Sequence, residues 1–320
     1  MRREDDHRGR PQGGGAESGG LAFVSLLGGG GSLTPRLPST LLAAALAVLA
    51  AACAAPPPSG ALSFPAEAES FRRPANLKQT MLFRPAAGTG PFPAVVLLPT
   101  CGGMQPHVVD WAERLTREGY VTLLVESNTP RGVPTNCVRP PPVRYDEQMA
   151  DAIAALGHLR TMPLVQRERI AVVGFSFGAG VALRMASTRY QQQMVAEAAS
   201  LRAVASFYPW CNTSSSEFHS RGMRTEGLPS DIATPTMIFT GADDDETLAS
   251  WCTERVDRLQ TVGRPISYKL YSGTTHAYDS RENGIHGRRV PRGFFYRYSP
   301  GATEESWQEL RAFLRRHLAP

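Results

Sequence analysis

Ile170-Ala-Val-Val-Gly-Phe-Ser-Phe-Gly-Ala-Gly180 runs from four apolar residues into a turn of small residues. A short continuous apolar run that ends in such a turn reads as a buried strand of a parallel sheet. The pattern beyond it, from Phe177 to Thr188, is helical. The pentapeptide GFSFG therefore stands where a strand gives way to a helix, and it matches GxSxG at Gly174, Ser176 and Gly178. A turn of that kind holds its serine in a strained backbone conformation with the hydroxyl exposed above the sheet. Small residues flank it because strand and helix come too close for side chains. The bare pentapeptide is a weak pattern; its setting gives it weight. Against it stands a plainer reading, a Gly-rich turn with a capping serine.

Outward from this stretch the same alternation repeats. Strand-like runs occur at Lys78 to Phe83, Ala94 to Leu98, Tyr120 to Val125, Val204 to Tyr208, Thr236 to Thr240 and Ile266 to Tyr271. Helical patterns separate most of them, at His107 to Arg117, Tyr145 to Arg160 and Thr247 to Val262, with a last one at Thr303 to His317. Strands alternating with helices imply right-handed crossovers and a mostly parallel sheet covered on both faces. The expected architecture is a three-layer α/β sandwich. At 42% hydrophobic and 20% charged residues, the composition supplies enough apolar side chain for one large core.

A serine hydroxyl is a poor nucleophile at neutral pH, so it needs a base to take its proton and a carboxylate to hold that base in the right tautomer. In sheets of this kind the partners follow in the order Ser, Asp or Glu, His. The strand Thr236 to Gly241 is followed by Asp243-Asp244-Asp245, and the strand Ile266 to Tyr271 by Ser272-Gly-Thr-Thr-His276. Both partners thus stand at strand ends, on the edge where α/β sheets carry their sites. Period-2 alternation out of the strand turns Asp244 to the opposite side from Asp243 and Asp245. The plainer readings are an acidic cluster that caps the helix near Thr247 and a surface histidine. Acyl transfer also needs two backbone N–H donors for the oxyanion. One is expected from Phe177, and the other from the loop Leu98 to Gly103, at Cys101 before Gly102.

The ends of the chain carry other information. Leu41 to Ala52 is an uninterrupted apolar stretch of twelve residues, short of the roughly twenty a spanning helix needs and right for the core of a signal peptide. It ends at Cys53, ahead of a Pro-rich linker, and resembles a bacterial lipoprotein signal with Cys53 as the lipidated residue. Cleavage among the preceding alanines is the alternative. The expected organisation is a leader and signal peptide over 1–53, a linker over 54–76 and one catalytic domain over 77–320. The protein is expected to be exported, to the periplasm or to a membrane-anchored lipoprotein. The net charge of +5 is dispersed apart from an Arg-rich run, Arg281 to Arg297, which reads as a solvated surface and not as a nucleic-acid site. Cysteine and histidine spacing fits no zinc motif, so no metal is expected.

Taken in order, PTCGG at 99–103, TPRG at 129–132, GFSFGAG at 174–180, FYPWC at 207–211, GADDD at 241–245 and THAYD at 275–279 resemble the dienelactone hydrolase family of α/β-hydrolases, from about Lys78 to Leu318. The resemblance implies the α/β-hydrolase fold and hydrolysis of ester or lactone bonds in small molecules without a cofactor. A peptidase or acyltransferase with the same residues, or a non-catalytic envelope lipoprotein, are the alternatives. It implies a catalytic carboxylate three residues after the Gly that closes its strand, which is Asp244. Family members in the strict sense use a cysteine nucleophile inside the cell; with Ser176 and an export signal, the exported serine-type members are the closer likeness. The likeness further implies that Cys101 pairs with Cys137 and Cys211 with Cys252, each closing a loop of about forty residues worth about 4 kcal/mol on the chain-entropy account.

Overall fold

The computed structural model of the chain describes residues 69–70, 80–193, 201–214 and 225–319. The signal-peptide, lipidation and most of the linker expectations, Cys53 among them, lie outside the described residues. All described residues belong to one compact unit, Pro57–Pro320.

Among them, an eight-stranded sheet forms the centre. Its strands are β1 (Glu69–Ser70), β2 (Met81–Arg84), β3 (Phe92–Leu98), β4 (Val121–Leu124), β5 (Val165–Phe175), β6 (Leu201–Phe207), β9 (Thr236–Gly241) and β10 (Ile266–Tyr271), in the spatial order β1-β2-β4-β3-β5-β6-β9-β10. All neighbours pair in parallel except β2 with β4. Two small hairpins lie outside it, β7 (Thr213–Ser214) with β8 (Thr225–Glu226) and β11 (Arg288–Arg289) with β12 (Phe295–Tyr296). The helices are α1 (Pro106–Arg117), α2 (Tyr145–Thr161), α3 (Phe177–Met185), α4 (Thr188–Gln193), α5 (Ala249–Thr261) and α6 (Pro300–Leu318).

Alternate residues of each central strand face opposite layers. Ala94, Val96 and Leu98 of β3, with Ile170 and Val172 of β5, pack in one buried cluster with α2, α3 and α5. Val95 and Leu97, with Ala171 and Val173, pack in a second with α1 and α6. Central strands with apolar residues on both faces are what a doubly covered sheet requires. The result is a three-layer α/β-hydrolase sandwich. Its chain direction switches beside β3, where β4 lies on one flank and β5 on the other, so the loops after β3 and β5 meet at the carboxyl edge. A cleft at such a switch point is where open α/β sheets bind ligands.

Two boundaries differ from the sequence reading for visible reasons. The helix expected over Phe177 to Thr188 breaks after Met185. There the Ala186 carbonyl accepts the N–H groups of Ala233 and Thr234, and the Ser187 hydroxyl bonds Asp231 at 2.6 Å. The helix expected from Thr247 begins at Ala249, after a Leu248 N-cap that provides no side-chain bond. Among the described residues, no helix is long and apolar enough to cross a membrane.

Candidate active site

Ser176 occupies the turn between β5 and α3 with φ 51° and ψ −110°. A positive φ costs free energy for a residue with a Cβ, and it persists where the surroundings force it. Here the surroundings are the glycines. A Cβ on Gly174 would stand 2.2 Å from the Gly178 carbonyl oxygen, and a Cβ on Gly178 would stand 2.4 Å from the carbonyl oxygen of Leu98. The first turn of α3 therefore lies directly on the end of β3, and the Gly178 N–H donates to the Pro99 carbonyl at 3.1 Å. The turn is also tied sideways, by the Ser176 N–H to the Phe207 carbonyl at 2.9 Å.

His276 lies five residues past β10 and is 2% exposed. Its Nε2 stands 2.9 Å from Ser176 Oγ, and its Nδ1 stands 2.8 Å from Asp244 Oδ2. With the ring proton on Nδ1, the imidazole donates to Asp244 and accepts from the serine hydroxyl. Asp244, 3% exposed, has its other oxygen fixed by the N–H groups of Glu246 and Thr247 at 2.9 and 2.8 Å. The Thr247 hydroxyl donates to Asp244 Oδ2 at 2.8 Å and lies 3.2 Å from His276 Nδ1.

The acid stands in a turn, because the sheet ladder ends at Gly241. Alternation out of the strand is thus not what aims Asp244 at the histidine. The Asp243 N–H donates to the Thr274 carbonyl at 2.9 Å, and the Asp245 carboxylate accepts the Phe295 N–H at 3.0 Å. None of the three carboxylates caps α5 in the sense the acidic cluster suggested.

Burial works to lower the pKa of His276, while the Asp244 and Glu246 carboxylates raise it and Arg292 opposes them; the carboxylates prevail, and the value is raised. The back of the ring is closed by Tyr208, whose ring centroid is 4.7 Å away and whose hydroxyl bonds Asp279 at 2.9 Å. Trp111 donates to the other Asp279 oxygen at 2.7 Å, so this buried carboxylate is held by two neutral donors.

A cleft of about 500 Å³, including its open mouth, leads to Ser176. Val138, Pro141, Tyr145, Trp210 and the Cys101–Cys137 disulfide form much of its wall. The second disulfide, Cys211–Cys252, ties the loop after β6 to α5 beside the paired rings of Trp210 and Trp251. Both pairs are those the family likeness implied. Phe177, stacked on Tyr145 at 4.1 Å, and Cys101 both line the cleft with Ser176. The Gly102 N–H is engaged by Thr100 Oγ1 at 3.1 Å, and the Cys101 carbonyl is turned to the Asn136 N–H at 2.7 Å.

The sequence reading missed Thr247, Tyr208, Glu246, Arg292 and Tyr296. The Arg281 to Arg297 run is not simply a solvated surface, since Arg292 lines the cleft and pairs with Glu246. Among the described residues, no group of three or more His, Cys, Asp or Glu side chains is placed to hold a metal ion.

The dienelactone hydrolase family model matches residues 79–318, three quarters of the chain. The chain belongs to the dienelactone hydrolase family. One relative in Bradyrhizobium sp., named "Probable 2-oxo-3-(5-oxofuran-2-ylidene)propanoate lactonase", is 24% identical over 247 residues, which cover 74% of this chain and 88% of that one. Cutinase 2 of Thermobifida cellulosilytica is 27% identical over 199 residues, and the match spans 62% of this chain and 65% of the cutinase. Among solved structures, a dienelactone hydrolase-like promiscuous phosphotriesterase from metagenomic libraries superposes with a TM-score of 0.56 at 21% identity, covering 75% of this chain and 92% of that one. A butyrate-bound thermophilic esterase of Thermogutta terrifontis gives 0.53 at 16% identity, with 75% and 90% covered. These structural likenesses show the fold.

Proposed function

We propose that this dienelactone hydrolase family member is a serine hydrolase of small carboxylic esters or lactones, with Ser176 as nucleophile, His276 as base and Asp244 as the carboxylate that orients the base. The observation that carries the reading is the unbroken line Ser176 Oγ, His276 Nε2, His276 Nδ1, Asp244 Oδ2, with contacts of 2.9 and 2.8 Å, at the floor of an open cleft. The lactonase and cutinase relatives favour an ester or lactone as the bond attacked.

In this reading Ser176 Oγ attacks the acyl carbon while its proton passes to His276 Nε2. The imidazolium is stabilised by Asp244, and its proton then goes to the departing alkoxide, leaving an acyl-serine. His276 next takes a proton from water, whose oxygen attacks the acyl carbon, and returns it to Ser176 Oγ as the acid is released. The N–H groups of Phe177 and Cys101 are the proposed oxyanion donors; that Gly102 already bonds Thr100 favours Cys101 over Gly102. Because the pKa of His276 is raised, the base form is lost as pH falls through a value above the ordinary imidazole range of about 6.5. The test is a p-nitrophenyl ester series from acetate to palmitate. Turnover is expected with the short acyl chains in the wild type and not in Ser176→Ala; equal turnover by the variant would refute the assignment.

Export, with lipidation at Cys53, is part of the same proposal. Two disulfides are compatible with an oxidising compartment. Mass spectrometry of membrane-fraction protein is expected to find a diacylglyceryl-modified N-terminus at Cys53, and a mature chain starting elsewhere in the alanine run would count against it.

A further inference from the structure

A second carboxylate, two residues past Asp244, is joined to the histidine through Tyr296. Glu246 lines the cleft together with Ser176, and its side chain is 8% exposed. It is engaged by two side chains of one segment, the hairpin of β11 and β12: the Arg292 guanidinium forms an ion pair with it, and the Tyr296 hydroxyl donates a hydrogen bond to it. The same hairpin is fastened to both turns that carry the acid and the base. On the acid turn, Asp245 accepts the Phe295 N–H. On the histidine turn, Tyr296 forms a β-bridge with His276 and its ring lies 5.3 Å from the imidazole. The Arg297 N–H bonds Thr275 Oγ1 at 2.8 Å, and its guanidinium bonds the Gly273 carbonyl at 2.6 Å.

The pair is only partly covered, the Glu246 side chain at 8% exposure and that of Arg292 at 29%, and an ion pair open to solvent contributes little stability. Apolar residues of similar size would hold a hairpin as well. The placement of this pair, on the cleft wall with Ser176 and joined to the base through Tyr296, is what calls for a role.

We infer that Glu246 and Arg292 are positioning residues for His276, an opposed pair of charges whose balance sets how readily the imidazole takes up and returns the proton of Ser176. The inference rests on the serine-hydrolase reading. The carboxylate favours the imidazolium formed in each proton transfer, and the guanidinium offsets it. The hairpin holds the offset constant by keeping Arg292 on Glu246.

Among the described residues, these groups face His276 from the elements around it. Asp244 and Thr247 bond Nδ1 from the acid turn, and Ser176 bonds Nε2 from the nucleophile turn. Tyr208 packs on the ring after β6 and Tyr296 packs on it from the hairpin; burial holds both phenols protonated well beyond neutral pH, with Asp279 adding to this for Tyr208 and Glu246 for Tyr296. The pKa of His276 responds to Glu246 upward and to Arg292 downward, in line with the geometry.

The experiment is the pH profile of kcat/KM on p-nitrophenyl acetate, with the pH dependence of fluorophosphonate labelling as a second readout, at constant ionic strength. The proteins are wild type, Glu246→Gln, Arg292→Gln, the double variant and Arg292→Lys. Glu246→Gln is expected to move the acid limb to lower pH, since a carboxylate that favours the imidazolium is gone. Arg292→Gln is expected to move it to higher pH, with kcat/KM at pH 6 several-fold lower. The double variant and Arg292→Lys are expected to return the limb close to the wild-type position. A purely structural pair would lower kcat in every variant with the limb unmoved or moved one way, and either result overturns the inference while wild-type labelling leaves the nucleophile assignment standing. A wild type that is not labelled at any pH overturns both. Should Glu246→Gln fail to fold, the Arg292→Gln and Arg292→Lys profiles decide in the same way.

Discussion

Ser176 and His276 reach the same 2.9 Å contact from turns built on different principles. The serine turn is held by backbone: its glycines leave no room for a Cβ, its N–H groups bond carbonyls of β6 and the β3 loop, and its φ of 51° follows from these. The acid and histidine turns share one such backbone contact, Gly241 and the Asp243 N–H against the Thr274 carbonyl, but they are held in addition by side chains, through Thr247 on Asp244, Asp245 on Phe295, Arg292 and Tyr296 on Glu246, and Arg297 on Gly273. A turn fixed by steric contact has one geometry or none. A turn fixed by charges and hydrogen bonds can be adjusted residue by residue without losing the fold. The nucleophile is thus placed rigidly, whereas the strength of its base is open to tuning.

The contrast can be broken most severely on the side-chain half. Asp244→Asn is expected to lower kcat by roughly 10³–10⁴ with little change in melting temperature, because an amide cannot stabilise the imidazolium and favours the wrong tautomer. Asp243→Asn and Asp245→Asn are expected to cost far less, since those carboxylates do not touch the imidazole in the described structure. Steady-state kinetics on one ester compares all three, and a mild Asp244→Asn beside an inactivating Asp245→Asn would reverse the assignment. On the backbone half the expected effect is smaller in rate and larger in stability. Gly178→Ala places a methyl against the Leu98 and Pro99 carbonyls, at 2.4 and 2.5 Å, and neither is a flexible side chain. The strain is expected to cost on the order of 1–3 kcal/mol, visible as a lower melting temperature, with activity lost in part as α3 shifts. An unchanged melting temperature would show that the turn is less tightly set than described here.

The difference between the two halves also explains what could be read from the sequence. Backbone constraints leave residue-type traces: the steric limit at Gly174 and Gly178 appears as GxSxG, and burial of a strand on both faces appears as the apolar runs of β3, β5 and β9. The three-layer sandwich was legible from those runs together with the helical patterns between them. The pairing of the four cysteines was legible through the family likeness, not through spacing. Side-chain constraints leave no such trace. Glu246 meets Arg292 and Tyr296 across some fifty residues of sequence, and nothing distinguishes Arg292 from the other arginines of the 281–297 run. Thr247 reads as a helix start, yet its hydroxyl bonds Asp244 and the helix begins at Ala249. Asp244 itself faces His276 because the chain turns after Gly241, which period-2 alternation does not describe.

The central claim, that Ser176 is an activated nucleophile, is tested most directly by covalent labelling. The wild-type protein is treated with a fluorophosphonate, its intact mass is measured, and the adduct is mapped by peptide mass spectrometry beside a folded Ser176→Ala control. The account predicts one adduct per chain, located on Ser176 and absent from the control. Full labelling of Ser176→Ala, or an adduct mapped to any other residue of the wild type, would contradict it.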